Sequence, residues 1–238
     1  MSTSLGETDS GAAHETHWIP LSDLMTGLMV MFLLIAVMYM MRVEADAAQV
    51  KNVAIAYSEI RDALYEDLQK EFASDLPKWR AQLIKTDLTI RFAEPEVLFA
   101  TGSSDLKPNF QVILKDFLPR YARILTSPKY RGSINEVRIE GHTSSVWNGV
   151  SSPGDAYFQN MDLSQARTRS VLLFLLSLPD IQNETPWLRA NVTANGLSSS
   201  HLILDAQGHE DAARSRRVEF RIRTDAETRL AKILEVSK

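Results

Sequence analysis

The run LMTGLMVMFLLIAVMYMM, residues 24–41, contains no charged side chain and decides how this chain is organised. At about 1.5 Å per helical residue, its 18 residues reach about 27 Å, close to the ~30 Å hydrocarbon thickness of a bilayer. The apolar residues 18–21 just upstream lengthen the helix to about 36 Å, and Arg42 marks its other boundary. The sequence therefore predicts a single transmembrane helix over residues 18–41.

A cleaved secretory signal peptide is a second interpretation of this region, since residues 45–47 (Ala-Asp-Ala) resemble a cleavage site. Residues 1–17 contain no Lys or Arg, however, and the apolar run exceeds the usual length of a signal-peptide core. Because residues 1–17 are polar, we expect a disordered tail there. Charge alone leaves the orientation open: Arg42 and Lys51 favour a cytoplasmic C-terminal side, but a long domain weakens this rule.

The composition narrows the classes of function. The 238 residues carry a net charge of -4 with a pI near 5.8, which argues against a nucleic-acid partner. The absence of cysteine excludes disulfides and thiolate metal sites. The five histidines lack metal-ligand spacing, and neither a phosphate loop nor a G-x-S-x-G nucleophile elbow occurs. We therefore expect a non-enzymatic protein without a cofactor or metal, in which His142 is structural.

Asp23 is the residue of the membrane segment that could carry chemistry. If the helix begins at Ser22, Asp23 is a first-turn acid that complements the helix dipole. If it begins at Trp18, Asp23 lies about 7 Å deeper, where an ionised carboxylate costs up to about 3 kcal/mol and should face protein or water. Thr26 and Gly27 follow at i+3 and i+4, and they give the same helix face a hydroxyl and space for a neighbouring helix.

Residues 42–86 predict a helical linker, because they contain no Gly, one Pro (Pro77) and many Ala, Glu, Lys and Leu residues. Apolar residues recur there at spacings of three and four: Val50, Val53, Tyr57, Ile60, Leu64 and Leu68. Such a stripe suits either a short parallel coiled coil or packing against the C-terminal domain, and the sequence does not choose between them.

Beyond residue 86, short alternating segments indicate strands and longer amphipathic segments indicate helices. Strands are predicted at 88–92, 137–140, 191–194 and 218–222, and helices at 108–125 and 160–178. These elements predict an α+β domain over residues 87–226, with helices packed on one mixed sheet. Residues 227–238 are predicted to form a C-terminal tail.

The segment WIPLSDLMTGLM, residues 18–29, resembles the transmembrane signature of MotB-type stator subunits. In that family an Asp at this place carries ions through a rotary motor. The resemblance therefore implies an ion-carrying role for Asp23, with Thr26 beside it and H+ favoured over Na+. It also implies a bacterial inner-membrane location, a cytoplasmic N-terminus, a periplasmic C-terminal domain, a homodimer, and a polytopic MotA-like (ZorA-type) partner.

Four motifs of the C-terminal region resemble the OmpA-like peptidoglycan-binding domain in order and spacing. They are FATGSSDL at residues 99–106, IEGHT at 139–143, NMDLSQAR at 160–167 and SRRVEF at 215–220. Each motif is weak alone, but four in sequence are specific. The resemblance implies the α+β OmpA-like fold and peptidoglycan as a partner.

The resemblance also implies how the ligand is held. Peptidoglycan stem peptides carry diaminopimelate, and Arg167 matches the family's carboxylate-binding Arg, which suits a bidentate contact. Asn160, Leu163 and Arg217 belong to the same matched motifs, and backbone donors at a helix start over residues 160–164 are expected to assist. Ser144 stands where the family has an Asp, so the ligand's amine loses its charged partner unless Asp155 or Asp162 substitutes.

Together these features predict a peptidoglycan-anchored subunit of an ion-driven rotary stator. Within that class, the membrane segment and the long linker are most similar to the MotB-like subunits of Zorya anti-phage defence systems. A flagellar stator subunit and a passive membrane-to-wall tether are the alternatives. A TolR- or ExbD-like transducer also has a membrane Asp, but the OmpA-like motifs argue against it.

Overall fold

The computed structural model describes residues 18–93, 98–149 and 152–224. The tails expected at residues 1–17 and 227–238, and the expected domain end at residue 226, lie outside the described residues. The chain divides into two compact units, one that ends at Asn52 and one that begins at Val53.

Helix α1, Trp18–Phe72, is 55 residues long, and its N-terminal part belongs to the first unit. Its stretch Leu21–Ala48 has a mean hydropathy of 2.3 over the most apolar window, and none of that window is buried. The large apolar side chains along it, such as Met29 and Phe32, are exposed. Among the described residues, this is the one helix long and apolar enough to cross a membrane.

The last turns of α1 belong to the second unit and pack into its core. Leu64, Leu68 and Phe72 are fully buried there, and Ile60 is packed against the same core. This confirms domain packing for the C-terminal half of the apolar stripe. The side chains of Val53 and Tyr57 lie outside the described ones.

Ion pairs and a tyrosine hydrogen bond fix this end of α1 to the domain. Arg120 donates from Nε to Glu71 at 2.7 Å and from Nη1 to Asp75 at 3.0 Å. The Tyr130 hydroxyl donates to Asp67 at 2.5 Å. These bonds connect residues separated by 45 or more positions, so they depend on the folded domain.

The prediction of a helical linker over residues 42–86 is wrong in its last part. Helix α1 ends at Phe72, and residues 81–84 form a strand, β1, instead of continuing the helix. Two physical reasons apply: Pro77 cannot continue a helix, and Ala81 to Ile84 find backbone partners in the neighbouring strand.

The second unit is an α+β domain, as predicted. Its elements after α1 are β1 (Ala81–Ile84), β2 (Thr89–Ala93), α2 (Pro108–Leu125), β3 (Ile134–His142), α3 (Pro153–Ser177), a 3-10 helix (Pro179–Glu184), α4 (Thr185–Asn191), β4 (Val192–Gly196), α5 (Ala212–Ser215) and β5 (Arg217–Thr224). The sheet order is β1-β2-β5-β3-β4. Only β3 and β4 pair in parallel and the other pairs are antiparallel, so the sheet is mixed.

An aromatic cluster between the sheet and the helices forms the centre of the core. Phe117 of α2 lies 5.3 Å from the rings of both Phe72 and Phe92, and 5.1 Å from Phe220. All four rings are almost completely buried. Because Phe72 comes from α1, the core needs residues upstream of the predicted domain start at residue 87.

Helix α3 begins earlier than predicted, at Pro153 rather than near residue 160. Ser152 caps it by accepting a hydrogen bond from the backbone N–H of Asp155 at 3.0 Å, and Pro occupies the first helical position. Residues 160–164 therefore lie inside the helix, where their N–H groups bond to the preceding turn. The expectation that they supply free backbone donors to an anion is wrong.

Candidate functional sites

A pocket of about 400 Å³ lies between the middle of α3, the loops around Phe99 and after β3, and the start of β5. Its described lining combines aromatic and apolar groups with hydroxyls, amides and two guanidinium groups: Phe99, Thr101, Gly102, Thr143, Ser144, Val146, Trp147, Asn148, Asn160, Leu163, Arg167 and Arg216. Four of the five residues predicted to bind the ligand meet here, namely Asn160, Leu163, Arg167 and Ser144.

Arg167 is held firmly in this pocket. Its Nε donates to the carbonyl of Ser103 at 2.9 Å, and its Nη2 donates to the carbonyl of Ala100 at 3.2 Å. The guanidinium lies over the ring of Phe99, 5.0 Å from the ring centroid. These contacts fix the orientation of the guanidinium group, and Arg167 still lines the pocket. A guanidinium held in this way is suited to bind a carboxylate.

The pocket is electropositive. Burial, and to a smaller extent the neighbouring charge of Arg216, lowers the pKa of Arg167 to about 10. The group is therefore still a cation at neutral pH. Among the described residues that line the pocket there is no Asp or Glu. Two cations without a lining carboxylate favour an anionic ligand.

Two hydroxyl-bearing residues follow strand β3. Thr143 is 3% exposed and its backbone N–H donates to the carbonyl of Ser198 at 2.9 Å. Its Oγ1 is enclosed by protein and has no hydrogen-bond partner among the described residues, which costs free energy. Ser144 comes next, is 6% exposed and lines the pocket, so of the two residues it is the one placed to offer a hydroxyl to a ligand.

Asn160 shapes the pocket rather than offering its amide to a ligand. Its Nδ2 donates to the carbonyls of Ser144 at 3.1 Å and Val146 at 3.3 Å. The two bonds hold the loop after β3 against helix α3. Leu163, one turn further along the same helix face, supplies an apolar wall.

The acids considered as substitutes for the family Asp are not in the pocket. Asp155 accepts a hydrogen bond from the Ser152 hydroxyl at 2.7 Å at the start of α3. Asp162 is exposed and is not among the described lining residues. Glu210 is also engaged, since the N–H of Ser145 donates to it at 2.9 Å and the Ser145 hydroxyl bonds to its second oxygen.

Two glycines allow α3 to approach the sheet closely enough to build the pocket. A Cβ on Gly141 would lie 2.8 Å from the carbonyl oxygen of Ser164, and a Cβ on Gly196 would lie 2.3 Å from the backbone nitrogen of Gln165. Side chains at either position would push the helix away. The Gly of the I-E-G-H-T motif is therefore explained by packing.

Arg217 is the predicted site residue that the structure places elsewhere. Its Nε donates to Glu219 at 2.7 Å, and its Nη1 donates to the carbonyls of His201 at 3.0 Å and Ser215 at 2.9 Å. It lies on the opposite face of the sheet from the pocket, whereas its neighbour Arg216 lines the pocket. The structure therefore does not bring Arg217 together with the other four predicted residues, because side chains alternate between faces at the start of β5.

His142 and two glutamates form a buried cluster on that opposite face. The imidazole Nε2 lies 3.7 Å from Oε2 of both Glu140 and Glu219, and neither ring nitrogen makes a hydrogen bond. Their ligand atoms lie within 4.8 Å of one another, a spacing that a metal could use. Arg91 and Arg217 each donate to Glu219 at 2.7 Å, so these charges already form an ion-pair network.

Electrostatics stabilise the ionised form of Glu219. Burial by itself opposes ionisation, but the interactions with His142 and Arg217 outweigh it, and the pKa of Glu219 lies well below its ordinary value. The network connects side chains of β2, β3 and β5 on this face of the sheet.

Asp23 and Thr26 lie on the exposed surface of the apolar part of α1. Thr26 donates from Oγ1 to the carbonyl of Ser22 at 2.8 Å, a bond within the helix. Asp23 is exposed, one turn before Thr26 and Gly27, as the sequence indicated. A Cβ on Gly27 would meet nothing within 4 Å, so this face leaves room for another helix.

Sequence reasoning did not identify several pocket residues, including Phe99, Thr143 and Trp147. Phe99 and Thr143 lie inside the matched motifs, so the sequence placed them near the site but did not indicate what they contact. Trp147 lies outside those motifs and carried no signal.

Comparison with known proteins finds a relative over most of the chain. No protein-family model matches the sequence. The chain is 46% identical over 219 residues to the Zorya protein ZorB of Escherichia coli, and the match covers 92% of each chain.

Comparison with solved structures gives matches of lower similarity. A MotB-like protein from Desulfovibrio vulgaris is 24% identical, with a TM-score of 0.49, over 69% of this chain and 91% of that one. The cell wall anchor of the T6SS from Pseudomonas aeruginosa is 24% identical, with a TM-score of 0.44, over 66% and 96%. The periplasmic domain of Helicobacter pylori MotB is 15% identical, with a TM-score of 0.42, over 66% and 90%.

Proposed function

The chain belongs to the ZorB family, and we propose that it is the wall-anchored subunit of an ion-driven, stator-like membrane complex in anti-phage defence. The proposed role is to hold one end of the complex to peptidoglycan and to carry ions at the other. It requires no enzymatic step. The relative's name supports the defence role, and the described residues support the two physical tasks.

The wall-binding task falls to the pocket around Arg167. A guanidinium fixed by two backbone carbonyls and an aromatic ring presents a preorganised donor pair to a stem-peptide carboxylate. Arg216 adds a second positive charge at the same pocket. Asn160 keeps the loop after β3 in place, so the pocket is formed before the ligand arrives.

The ion-carrying task falls to Asp23. The carboxylate lies near the start of the apolar stretch Leu21–Ala48 of α1. The described side chains of this stretch are exposed on all sides, so the stretch needs protein or lipid around it. An ionised group in a membrane segment should face a partner or a water-filled path. One helix cannot enclose such a path, and the proposal therefore includes a polytopic MotA-like, ZorA-type partner and a second copy of this chain.

The proposed topology follows from these tasks. The pocket domain lies in the periplasm, where peptidoglycan is found, and the N-terminus lies in the cytoplasm. Asp23 takes up and releases an ion, with H+ favoured over Na+, as ions cross between this helix and the partner. Thr26 and Gly27 form the rest of the contact face.

The observation that carries the proposal is Asp23 in the apolar helix of a chain that also holds the Arg167 pocket. The test is phage protection by cells that carry the native gene neighbourhood, with Asp23→Asn compared with wild type. Asparagine keeps the size and polarity of the side chain but cannot cycle a proton. We expect protection to be lost while protein level and membrane insertion hold, and Met25→Leu on the same helix should protect normally.

A second variant separates a motor from a tether. Arg167→Ala should also abolish protection, because the complex would lose its hold on the wall. If Asp23→Asn protects as well as wild type while Arg167→Ala does not, the helix is only an anchor and the ion-carrier role is refuted. If wild-type cells never resist phage but swim only with this gene, the defence assignment is replaced by a flagellar one.

A further inference from the structure

The chemistry of the Arg167 pocket suits only half of a free diamino acid. The pocket has cations and hydroxyls for an anion, but no described lining residue carries a carboxylate for an ammonium group. We infer that this pocket recognises stem peptides whose diamino-acid amine is already acylated in a cross-link, through the carboxylate that remains free. The inference rests on the proposed wall binding and specifies its ligand.

The carboxylate half of the recognition is provided by Arg167 and Arg216. Both line the pocket, and Arg167 remains charged at neutral pH because burial lowers its pKa only to about 10. A carboxylate bound there is neutralised and hydrogen-bonded, as burial of an anion requires. Removing the negative charge from the ligand, for example by amidation, should therefore abolish most of the binding.

The described pocket lining offers no charged partner for the ligand's amine, in contrast to its carboxylate. A buried ammonium needs a charged partner, because its desolvation is costly. Just after β3 the described lining offers the hydroxyl of Ser144, at the position where the resemblance to OmpA-like domains places an Asp. A hydroxyl oxygen can accept a hydrogen bond from a neutral amide N–H, and this contact leaves no buried charge without a partner. The local chemistry therefore fits an acylated nitrogen better than a free ammonium.

Among the described residues near the pocket, no acid is free to replace the missing carboxylate. Both oxygens of Glu210 are bonded to Ser145, and Asp155 is bonded to Ser152 at the start of α3. Asp162 points to solvent from the helix surface. Recruiting any of them would break a bond or require α3 to turn, and Gly141 packs α3 tightly on the sheet.

The consequence for function is a preference for mature wall. When a stem peptide is cross-linked through its diamino-acid amine, the nitrogen becomes a neutral amide and the carboxylate on the same carbon stays free. A pocket that requires the carboxylate and disfavours the ammonium would select such cross-linked positions. A complex that must resist a rotary force would then be attached to covalently connected strands.

The test measures the affinity of the purified full-length chain in detergent for four soluble muropeptides. They are an uncross-linked monomer with a free diaminopimelate amine, the same monomer N-acetylated at that amine, the monomer amidated at the adjacent carboxylate, and a cross-linked dimer. We expect the acetylated monomer and the dimer to bind at least fivefold more tightly than the free-amine monomer. Amidation of the carboxylate should weaken binding at least tenfold.

Ser144 provides a matched pair of variants. Ser144→Asp supplies the missing charge and should shift the preference at least fivefold toward the free-amine monomer. Ser144→Asn has nearly the same size without the charge and should keep the wild-type preference. The ratio of the two affinities is the readout, because an Asp near Arg167 can also weaken binding of every probe.

The outcomes distinguish this inference from the proposed function. If the wild-type chain binds the free-amine monomer as tightly as the acetylated one, the inference is overturned while wall binding stands. Equal binding of the amidated monomer would overturn the assignment of the carboxylate to Arg167. If neither the muropeptides nor intact sacculi bind, the proposed wall binding fails and the inference fails with it.

Discussion

Arg216 and Arg217 are consecutive in the sequence, yet their side chains lie on opposite faces of the central sheet. Arg216 lines the pocket around Arg167, whereas Arg217 is 5% exposed on the other face and donates to Glu219 at 2.7 Å. The two arginines belong to one sequence motif but have different roles. Arg216 contributes positive charge to the pocket, and Arg217 stabilises the sheet through Glu219.

Replacing Arg217 should therefore affect stability rather than ligand recognition. Arg217→Met leaves the buried Glu219 with one fewer cation, and removing one partner of a buried ion pair costs about 3–5 kcal/mol. The free energy of unfolding, followed by tryptophan fluorescence in urea, should fall by that amount, while the folded fraction still binds sacculi. Arg214→Met, at an exposed position, should change stability by less than about 0.5 kcal/mol. Loss of sacculus binding by folded Arg217→Met would contradict the assignment.

The ion-pair network should make stability depend on pH in the acid range. The pKa of Glu219 is lowered in the folded state, because His142 and Arg217 outweigh the opposing effect of burial. Its contribution is therefore fully present above the unfolded-state pKa of about 4.3 and is lost as pH falls below it.

The variant Glu219→Gln isolates this contribution. At pH 7 it should be less stable than wild type by about 3–5 kcal/mol, because Arg91 and Arg217 lose their ionised partner. The difference between the two proteins should shrink as pH is lowered from about 5 toward 2. A difference that stays constant over this range would show that Glu219 does not titrate as an ion-paired carboxylate.

The C-terminal end of helix α1 should behave as part of the domain core. Leu68→Ala removes a fully buried side chain of α1, and such a cavity costs about 2–5 kcal/mol. Ile55→Ala changes an exposed residue of the same helix and should cost less than about 0.5 kcal/mol. Thermal unfolding of the two variants in detergent compares them directly, and equal melting temperatures would show that α1 is dispensable to the core.

The close approach of α3 to β3 should not tolerate an added methyl group. In Gly141→Ala the new Cβ would lie 2.8 Å from Ser164 O and Thr168 Cγ2, so the helix that carries Arg167 must shift. We expect a loss of about 1–3 kcal/mol in stability together with weaker sacculus binding. Gly132→Ala is the matched control, since its Cβ would meet nothing within 4 Å. Unchanged binding in Gly141→Ala would mean that the pocket does not depend on this contact.

Thr143 should affect stability but not binding. Thr143→Val keeps the shape of the side chain and removes a buried hydroxyl that has no hydrogen-bond partner among the described residues. Stability should stay the same or rise by about 1 kcal/mol, because the cost of the unsatisfied group disappears. Binding of the cross-linked muropeptide should equal that of wild type by calorimetry, because the Oγ1 atom is enclosed by protein. A severalfold loss of binding would contradict this expectation.

The sequence by itself determined the features that depend on local composition. The apolar run at residues 24–41 indicates a membrane helix because lipid requires apolar side chains along the whole segment. Helix Pro108–Leu125 was predicted with its observed bounds, since Pro108 and a regular apolar spacing are local signals. The order of strands and helices, and hence the α+β class, followed from the same kind of pattern.

The tertiary structure alone decided the features that depend on partners distant in sequence. Strand β1 exists because Ala81 to Ile84 pair with β2, and helix α3 starts at Pro153 although the expected motif begins at Asn160. Arg216 and Arg217 belong to one motif, and only the pleat of the folded sheet separates their side chains. The engagement of Glu210 by Ser145 likewise joins residues 65 positions apart. Such pairings are set by packing and by hydrogen bonds between remote segments, which no local pattern records.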